Sequence, residues 1–209
     1  KDVSVAAEGG DQAIMLDGRP VKTPQRNALA LPTAALAEAV AEEWAVQGED
    51  IVPASMPLTA LAQGALDQVA SERERIVSRI AAFADSDMLY YRADDGQQAL
   101  IDHQAAHWDP LLDWAQPAET VERLTGAVEA QDDFAVAAML SLVGLSGSLI
   151  ATLALVEQEY DSATLWPLVN LEELWQEQQW GRDDQAAAAR GIKQAEFEAA
   201  ARFLDLSRS

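Results

Sequence analysis

The chain has 209 residues, of which 49% are hydrophobic and 23% are charged, so it can bury a sizeable core in one or two domains. Thirty-five acidic residues against 14 basic ones give a formal net charge of −21, which disfavours binding to nucleic acid and to anionic lipid because both are negatively charged. The chain has no cysteine, which excludes disulfides, thiolate metal sites and cysteine nucleophiles.

The first residues alternate short apolar runs with turn signals. Val3 and Val5 alternate with polar neighbours, and the apolar run 13–16 ends at the turn dipeptide Asp17-Gly18. Two prolines in the next extended run place it at a sheet edge or a strand end. This pattern predicts a small unit rich in β-hairpins.

A helix is predicted after the hairpins. Leu36, Val40 and Trp44 follow one another at four-residue spacing, and Gly48 is expected to end the helix. Residues 49–57 contain two prolines and predict a connector.

Nearly all the sequence from residue 58 onward has helical periodicity. The spacing predicts a long helix over 58–83, a helix after Gly96 that Pro110 kinks or restarts, one helix or two around 144–147, a helix over 162–180 and a last helix over 184–204. The longest apolar stretch, 135–156, contains three serines and two glycines and predicts a buried helix rather than a membrane span. We therefore predict an α+β fold, with a small hairpin-rich N-terminal α+β domain at 1–57 and a larger all-helical C-terminal domain at 58–209.

His103 and His107 are the only histidines, and their four-residue spacing would put both rings on one helix face, as in zinc proteases. The residues between them, Gln104-Ala105-Ala106, lack the glutamate that would act as general base. Asp102 or Asp109 could add a ligand, but a structural zinc takes four ligands and a catalytic one takes three and a water. We prefer two surface histidines and retain a metal-dependent hydrolase using His103 and His107 as the alternative function.

The small-residue run 144–148, Gly-Leu-Ser-Gly-Ser, is similar to a nucleophile elbow. An elbow needs Gly-x-Ser-x-Gly between a strand and a helix, whereas here the last position is serine and both flanks are helical. We interpret these residues as a place where helices turn or approach closely. No phosphate-binding loop occurs, so no catalytic residue and no cofactor are predicted.

Residues 171–181 carry two tryptophans, three glutamates, three glutamines and a final glycine on one predicted helix. A core helix needs an apolar stripe, and a solvated helix needs no tryptophan. A helical wheel groups four of the side chains on one stripe: Glu173, Gln176, Glu177 and Trp180. Such a stripe could bind a partner through arginine or backbone donors and apolar contact. Equally, Trp180 could pack on the next helix and Glu173 could be merely solvated.

Several motifs follow one another in a characteristic order: Leu16-Asp17-Gly18-Arg19-Pro20-Val21-Lys22-Thr23-Pro24, Ala41-Glu42-Glu43-Trp44, Met56-Pro57-Leu58-Thr59, Asp87-Met88-Leu89-Tyr90-Tyr91-Arg92, Gln104 with Trp108-Asp109-Pro110-Leu111, and Leu171-Glu172-Glu173 with Gln176 and Trp180-Gly181. In this order and over nearly the whole chain, they resemble the ATP-twelve family of assembly chaperones for the alpha subunit of the ATP synthase catalytic head. One departure is Tyr90, where many members carry cysteine.

The resemblance implies a function based on binding rather than catalysis. It implies an ATP-independent chaperone that binds the unassembled alpha subunit of F-type ATP synthase, prevents its aggregation and promotes assembly of the catalytic head. It assigns client binding to Glu172, Glu173, Gln176 and Trp180, without deciding which glutamate matters more. It implies no cofactor, no nucleic acid and no membrane insertion, and we expect a monomer.

The expected location also follows from the resemblance. The chain begins at Lys1 rather than at a methionine, and no signal or transit peptide is visible in it. Together with the alanine-rich, acidic composition, this favours the bacterial cytoplasm. A eukaryotic member of the family would lie in the mitochondrial matrix.

Overall fold

The structure is a computed structural model that describes residues 2–115 and 121–209. Within these residues four strands come first: β1 (Val3–Glu8), β2 (Asp11–Leu16), β3 (Arg19–Pro20) and β4 (Ala30–Leu31). Ten α-helices follow in the described part of the chain: α1 (Ala34–Ala45), α2 (Pro57–Gln63), α3 (Ala70–Ala81), α4 (Gln98–Ala115), α5 (Val121–Glu129), α6 (Asp133–Ser146), α7 (Leu149–Val156), α8 (Ser162–Val169), α9 (Leu171–Trp180) and α10 (Asp184–Leu206). A small sheet region followed by a helical region confirms the predicted α+β fold.

An antiparallel hairpin forms the centre of the sheet, as the turn signals predict. β1 pairs with β2 from Val3 opposite Leu16 to Glu8 opposite Asp11, and the turn at Asp17-Gly18 joins β2 to β3. Both turn residues have positive φ, 50° and 73°. Aspartate tolerates this conformation and glycine adopts it freely, so the dipeptide suits a tight turn between twisted strands.

Helix α1 contacts β1 and β2 through its apolar face. Leu36 and Val40 are fully buried, and the Thr33 hydroxyl caps the helix by accepting a hydrogen bond from the backbone nitrogen of Leu36 at 3.1 Å. The helix ends at Ala45 rather than at the predicted Gly48. The side-chain amide of Gln47 donates to the Glu43 carbonyl in the last turn, which satisfies one of the acceptors that a helix end leaves free.

Contacts within the chain group it into two compact units. The sheet unit comprises Lys1–Ile76, Gln131–Ala138 and Ala199–Ser209, and the helical unit comprises Val77–Ala130 and Met139–Glu198. Each unit therefore combines segments that are distant in sequence, which periodicity alone does not reveal. The domain limits predicted from the sequence, 1–57 and 58–209, stay a prediction.

The predicted helix over 58–83 is interrupted in the sheet unit. Between α2 and α3 the chain forms a π-helical turn, Gly64–Val69, and within it the buried Asp67 binds a distant loop. Its carboxylate accepts hydrogen bonds from the Thr23 hydroxyl at 2.6 Å, the Asn27 amide at 2.8 Å and the Gln25 backbone nitrogen at 3.1 Å. Burial raises the pKa of Asp67, but the three donors outweigh it and hold the pKa below its usual value.

Two of the family-like motifs meet where α1 approaches the start of α2. The Glu43 carboxylate accepts from the backbone nitrogens of Leu58 and Thr59, both at 2.8 Å, and from the Thr59 hydroxyl at 2.7 Å. A carboxylate at a helix N-terminus satisfies free backbone donors and complements the helix dipole. Glu43 therefore fixes α2 against α1.

The small-residue run 144–148 covers the last residues of α6 and the turn into α7 in the helical unit. Gly147 has φ of 68°, which favours glycine, and Ser148 caps α7. The buried Asp87 holds this corner, since its carboxylate accepts from the Ser148 hydroxyl and the Ile150 nitrogen at 3.0 Å and from the Leu89 nitrogen at 3.1 Å. Burial raises the pKa of Asp87, and the hydrogen bonds oppose that rise only in part.

Two regions that contain proline differ from the helices predicted for them. α4 continues through Pro110 as one helix. The predicted helix over 162–180 is instead divided into α8 and α9 at Asn170, whose side chain donates to the Trp166 carbonyl at 2.9 Å. Such local hydrogen bonds compete with the helical ladder and favour a break. Of the helices described, none combines the length and the apolar character needed to cross a membrane.

Candidate binding groove of the helical unit

A short turn joins helix α9 to helix α10. Gly181 follows α9 with φ of 94°, a conformation that a side chain would strain, so glycine allows the chain to turn here. Asp183 then starts α10, because its carboxylate accepts from the backbone nitrogens of Gln185 at 2.8 Å and Ala186 at 3.1 Å.

The two adjacent glutamates of α9 lie on different faces. Glu172 accepts from the side-chain amide of Gln104 at 2.6 Å. Gln104 is itself fully buried, and its carbonyl oxygen accepts from the backbone nitrogen of Ala93 at 2.9 Å. Glu173 points the other way, and 58% of its side chain is exposed. Glu172 therefore holds α9 in the unit, whereas Glu173 faces solvent.

A groove of about 490 Å³ lies between α9 and α10. The predicted stripe forms one wall: Glu173, Gln176, Glu177 and Trp180. The principal side chains of the α10 wall are Ala186, Ala189, Arg190 and Lys193. Trp180 remains 75% exposed, so it does not pack on the next helix as the alternative interpretation of this segment required.

Arg190 organises the charges in the groove. Only 13% of its side chain is exposed, and it forms an ion pair with Glu177 while its second guanidinium nitrogen lies 3.4 Å from the Glu173 carboxylate. Glu177 also lies 3.7 Å from Arg182. Charge-assisted pairs of this kind restrict both side chains. Glu177 is therefore committed to its arginines, and Glu173 keeps most of its carboxylate available.

The groove presents three different groups along α9. Glu173 and Trp180 are seven residues apart, which corresponds to about 10.5 Å along a helix, and Gln176 lies between them. On the opposite wall the small side chains of Ala186 and Ala189 leave room for a bound segment. The arrangement suits a protein segment that brings a cation to Glu173, a backbone group to Gln176 and an apolar side chain to Trp180.

The two histidines do not form a metal centre with other residues of the described chain. Their rings lie 4.3 Å apart, but His107 Nδ1 is 2.8 Å from the His103 carbonyl oxygen and must donate to it. Asp102 accepts from Gln98 and Asp109 pairs with Arg92. No group of three or more His, Asp or Glu in residues 2–115 and 121–209 could hold a metal ion. The described residues therefore give the hydrolase alternative no support.

His103 has another environment that the sequence did not suggest. Its ring centroid lies 4.9 Å from that of Trp175 on α9. Burial lowers the pKa of His103, and the neighbouring His107 lowers it further. The imidazole packs beside the indole, so His103 supports α9 from the side opposite the groove stripe.

The sequence analysis missed the α10 wall. Arg190 and Lys193 were not considered, although with Ala186 and Ala189 they recur at intervals of three and four residues, the spacing of one helix face. That signal could have identified a small-residue face with two cations. It could not have paired this face with α9, because the pairing depends on the turn at Gly181.

A family model described as ATP12 chaperone protein matches residues 1–116, which is more than half of the chain. The crystal structure of Atp12 from Paracoccus denitrificans is 35% identical, with a TM-score of 0.92 over 100% of this chain and 97% of that one. The structure of a candidate chaperone from Agrobacterium tumefaciens is 34% identical, with a TM-score of 0.93 over 98% of this chain and 84% of that one.

A curated relative extends the similarity to a eukaryote. The mitochondrial protein atp12 of Schizosaccharomyces pombe is 24% identical over 210 residues, which cover 87% of this chain and 72% of that protein. The family model covers more than half of the chain, and the two solved structures are 35% and 34% identical over nearly all of it. This chain therefore belongs to the ATP12 chaperone family.

Proposed function

We propose that this chaperone binds the unassembled alpha subunit of F-type ATP synthase, prevents its aggregation and promotes assembly of the catalytic head. The observation that carries the proposal is the exposed line of Glu173, Gln176 and Trp180 over the α9–α10 groove. A large exposed indole beside a mostly exposed carboxylate is unusual on a surface with no partner, and aromatic residues are enriched where protein interfaces form.

The tendency of an unassembled subunit to aggregate accounts for the strong negative charge of this chain. A subunit without its neighbours exposes apolar surface that is normally buried, and such surface aggregates. A partner with a net charge of −21 would cover part of that surface and add charge repulsion between complexes. Release requires only that the next subunit compete for the same surface, so we propose that the chaperone acts by binding, without catalysis or nucleotide.

The two glutamates receive different roles in this proposal. Glu173 contacts the client, together with Gln176 and Trp180. Glu172 is included in the predicted site but its carboxylate is bound to Gln104, so we assign it to positioning α9. The proposed location is the bacterial cytoplasm, or the mitochondrial matrix for a eukaryotic source, which suits relatives from Paracoccus and from mitochondria of fission yeast.

The test is capture of purified alpha subunit by two groove variants. Glu173→Lys reverses the charge of the exposed carboxylate and Trp180→Ala removes the indole, and both variants should bind the alpha subunit at least tenfold more weakly, as expected at an interface hot spot. Suppression of alpha-subunit aggregation, followed by light scattering, should fall in parallel.

Two matched controls keep the result specific. Glu196→Lys makes the same charge change at an exposed position of α10 that does not line the groove, and Trp180→Phe keeps an apolar ring. Both should capture the client nearly as well as the wild type. If folded Glu173→Lys and Trp180→Ala variants protect the alpha subunit as the wild type does, the proposed site is wrong.

A further inference from the structure

Residues 46–52, the α1–α2 loop of the sheet unit, expose three aliphatic side chains. Val46 is 77% exposed, and Ile51 and Val52 are about half exposed, at 48% and 53%. Isolated exposed aliphatics are ordinary on protein surfaces. Three within seven residues of one loop are more than isolated exposure, and exposed apolar residues that group together mark interaction sites.

Side-chain hydrogen bonds hold the α1–α2 loop in this conformation. The Gln47 amide donates to the Glu43 carbonyl at 3.0 Å and to the Ser55 hydroxyl at 3.1 Å, and its oxygen accepts from the Val52 nitrogen at 2.9 Å. The Ser55 hydroxyl in turn donates to the Val52 carbonyl at 2.9 Å. The loop is therefore ordered with its aliphatic side chains outward, and less conformational entropy is lost when a partner binds.

The charge around the loop restricts what can bind. Glu49 and Asp50 lie between the aliphatic residues and are exposed, as is Glu42 on α1. An acidic and apolar surface on a chain of net charge −21 repels a second copy of itself and an anionic bilayer. The complementary surface is one that places lysine or arginine next to apolar side chains.

The size of the α9–α10 groove gives an independent reason for a second contact surface. A volume of about 490 Å³ lies in the range of sites for small ligands, roughly 300–1,000 Å³. A stable protein complex instead buries about 800 Å² on each partner and involves roughly 20–30 residues a side. The groove alone is too small to hold a folded subunit.

We propose that the α1–α2 loop is a second client-binding surface, which contacts a basic and apolar face of the same alpha subunit. This inference rests on the proposed function. The two surfaces then act as linked sites, so that each raises the effective concentration of the other. A cleft of about 460 Å³ in the same unit, lined by Trp44, Arg19 and the Asp17 turn, offers further surface for contact.

The experiment compares four proteins: the wild type, a loop variant carrying Val46→Ser and Val52→Ser, the groove variant Glu173→Lys, and their combination. Titration with purified alpha subunit should show at least a tenfold weaker affinity for the loop variant and a still greater loss for the combination. The serines replace exposed side chains and leave Gln47 and Ser55 in place, so the circular dichroism spectrum and the unfolding temperature should remain those of the wild type.

A second loop variant, Glu49→Lys with Asp50→Lys, tests the same surface through charge and should weaken binding by a similar factor. Glu38→Lys, at an exposed position of α1 outside the loop, is its charge control and should bind as the wild type does. Normal binding by both loop variants, with weak binding by Glu173→Lys, would overturn the inference and leave the proposed function intact. Normal binding by all variants would overturn both the inference and the proposed function.

Sedimentation measurements complete the design. A wild-type protein that self-associates, with loop variants that stay monomeric and bind the alpha subunit normally, would make the loop an interface between copies and overturn the inference. Monomeric behaviour of all the proteins, with weak client binding by the loop variants, supports it.

Discussion

Substitution of the adjacent residues Glu172 and Glu173 by alanine should separate stability from binding. Glu172→Ala removes the acceptor of the buried Gln104 amide, which now donates to a carboxylate at 2.6 Å. Loss of such a charge-assisted bond, with a buried donor left unpaired, costs about 1.5–3 kcal/mol. For a chain of this length each kcal/mol lowers the unfolding temperature by roughly 2–4 °C, so a decrease of about 3–12 °C is expected.

Glu173→Ala should leave the stability nearly unchanged and weaken binding of the client. Its side chain is mostly exposed and lies 3.4 Å from Arg190, and exposed ion pairs contribute about 0.2–1 kcal/mol. The unfolding temperature should therefore fall by no more than roughly 4 °C, while capture of the alpha subunit falls at least tenfold. Thermal unfolding followed by circular dichroism gives the first quantity, and titration well below both unfolding temperatures gives the second.

Glu172→Ala should lower the unfolding temperature and Glu173→Ala should lower client binding, so together the two variants separate the two roles. Glu172→Gln is the conservative control, because its amide oxygen still accepts from Gln104 and should recover most of the stability. A Glu172→Ala protein that unfolds at the wild-type temperature would refute the inward assignment of this carboxylate. A folded Glu172→Ala protein that has lost client capture as fully as Glu173→Ala would refute the division of roles.

Three further changes test the charged groups around the site and in the core. Arg190→Ala should destabilise the protein by about 1–3 kcal/mol in urea unfolding, because Glu177 loses the closer of its two arginine partners. Thr23→Val removes a donor that helps to keep the pKa of Asp67 low, so its penalty of about 1 kcal/mol should be full at pH 7 and decrease as the pH falls through the lowered folded-state pKa of Asp67. Asp87→Ala leaves three donors without their acceptor and should cost more than about 3 kcal/mol. Because burial raises the pKa of Asp87, that penalty should be greatest below about pH 4 and shrink as the pH rises through the folded-state pKa.

Local chemistry made parts of the fold predictable. The hairpin turn at Asp17-Gly18 needs positive φ at both positions, and few dipeptides supply it. The periodicity of α1 likewise predicted Leu36 and Val40, which are buried. These features depend on near neighbours in the chain, so the sequence carries enough information to predict them.

Other features depend on distant partners. The interruption at Gly64–Val69 accompanies Asp67, which binds the loop of Thr23 more than forty residues earlier. The break at Asn170 depends on whether an amide bonds to the backbone or to solvent, which apolar spacing does not report. The sheet unit also takes up the C-terminal segment Ala199–Ser209, and only three-dimensional contacts reveal this.

The candidate site shows the same division. The stripe of Glu173, Gln176 and Trp180 follows from the geometry of one helix, and helical spacing predicted it. Whether Trp180 was buried or free depended on what lies across the groove, and Arg190 with two alanines was not foreseen there. Spacing therefore predicted which side chains share a face, and the tertiary structure decided what that face could do.

The ordered motifs combine supporting residues with exposed ones. Glu43 caps α2, Asp87 fixes the start of α7 and Gln104 holds Glu172, so these polar members act inside the protein. A motif residue is therefore not by that fact a contact residue, and exposure is the additional criterion. By the criterion of exposure Glu173 is a contact residue and Glu172 is not, although the two are adjacent in one motif. Exposure alone, rather than membership of a motif, likewise points to the α1–α2 loop, whose aliphatic side chains face solvent.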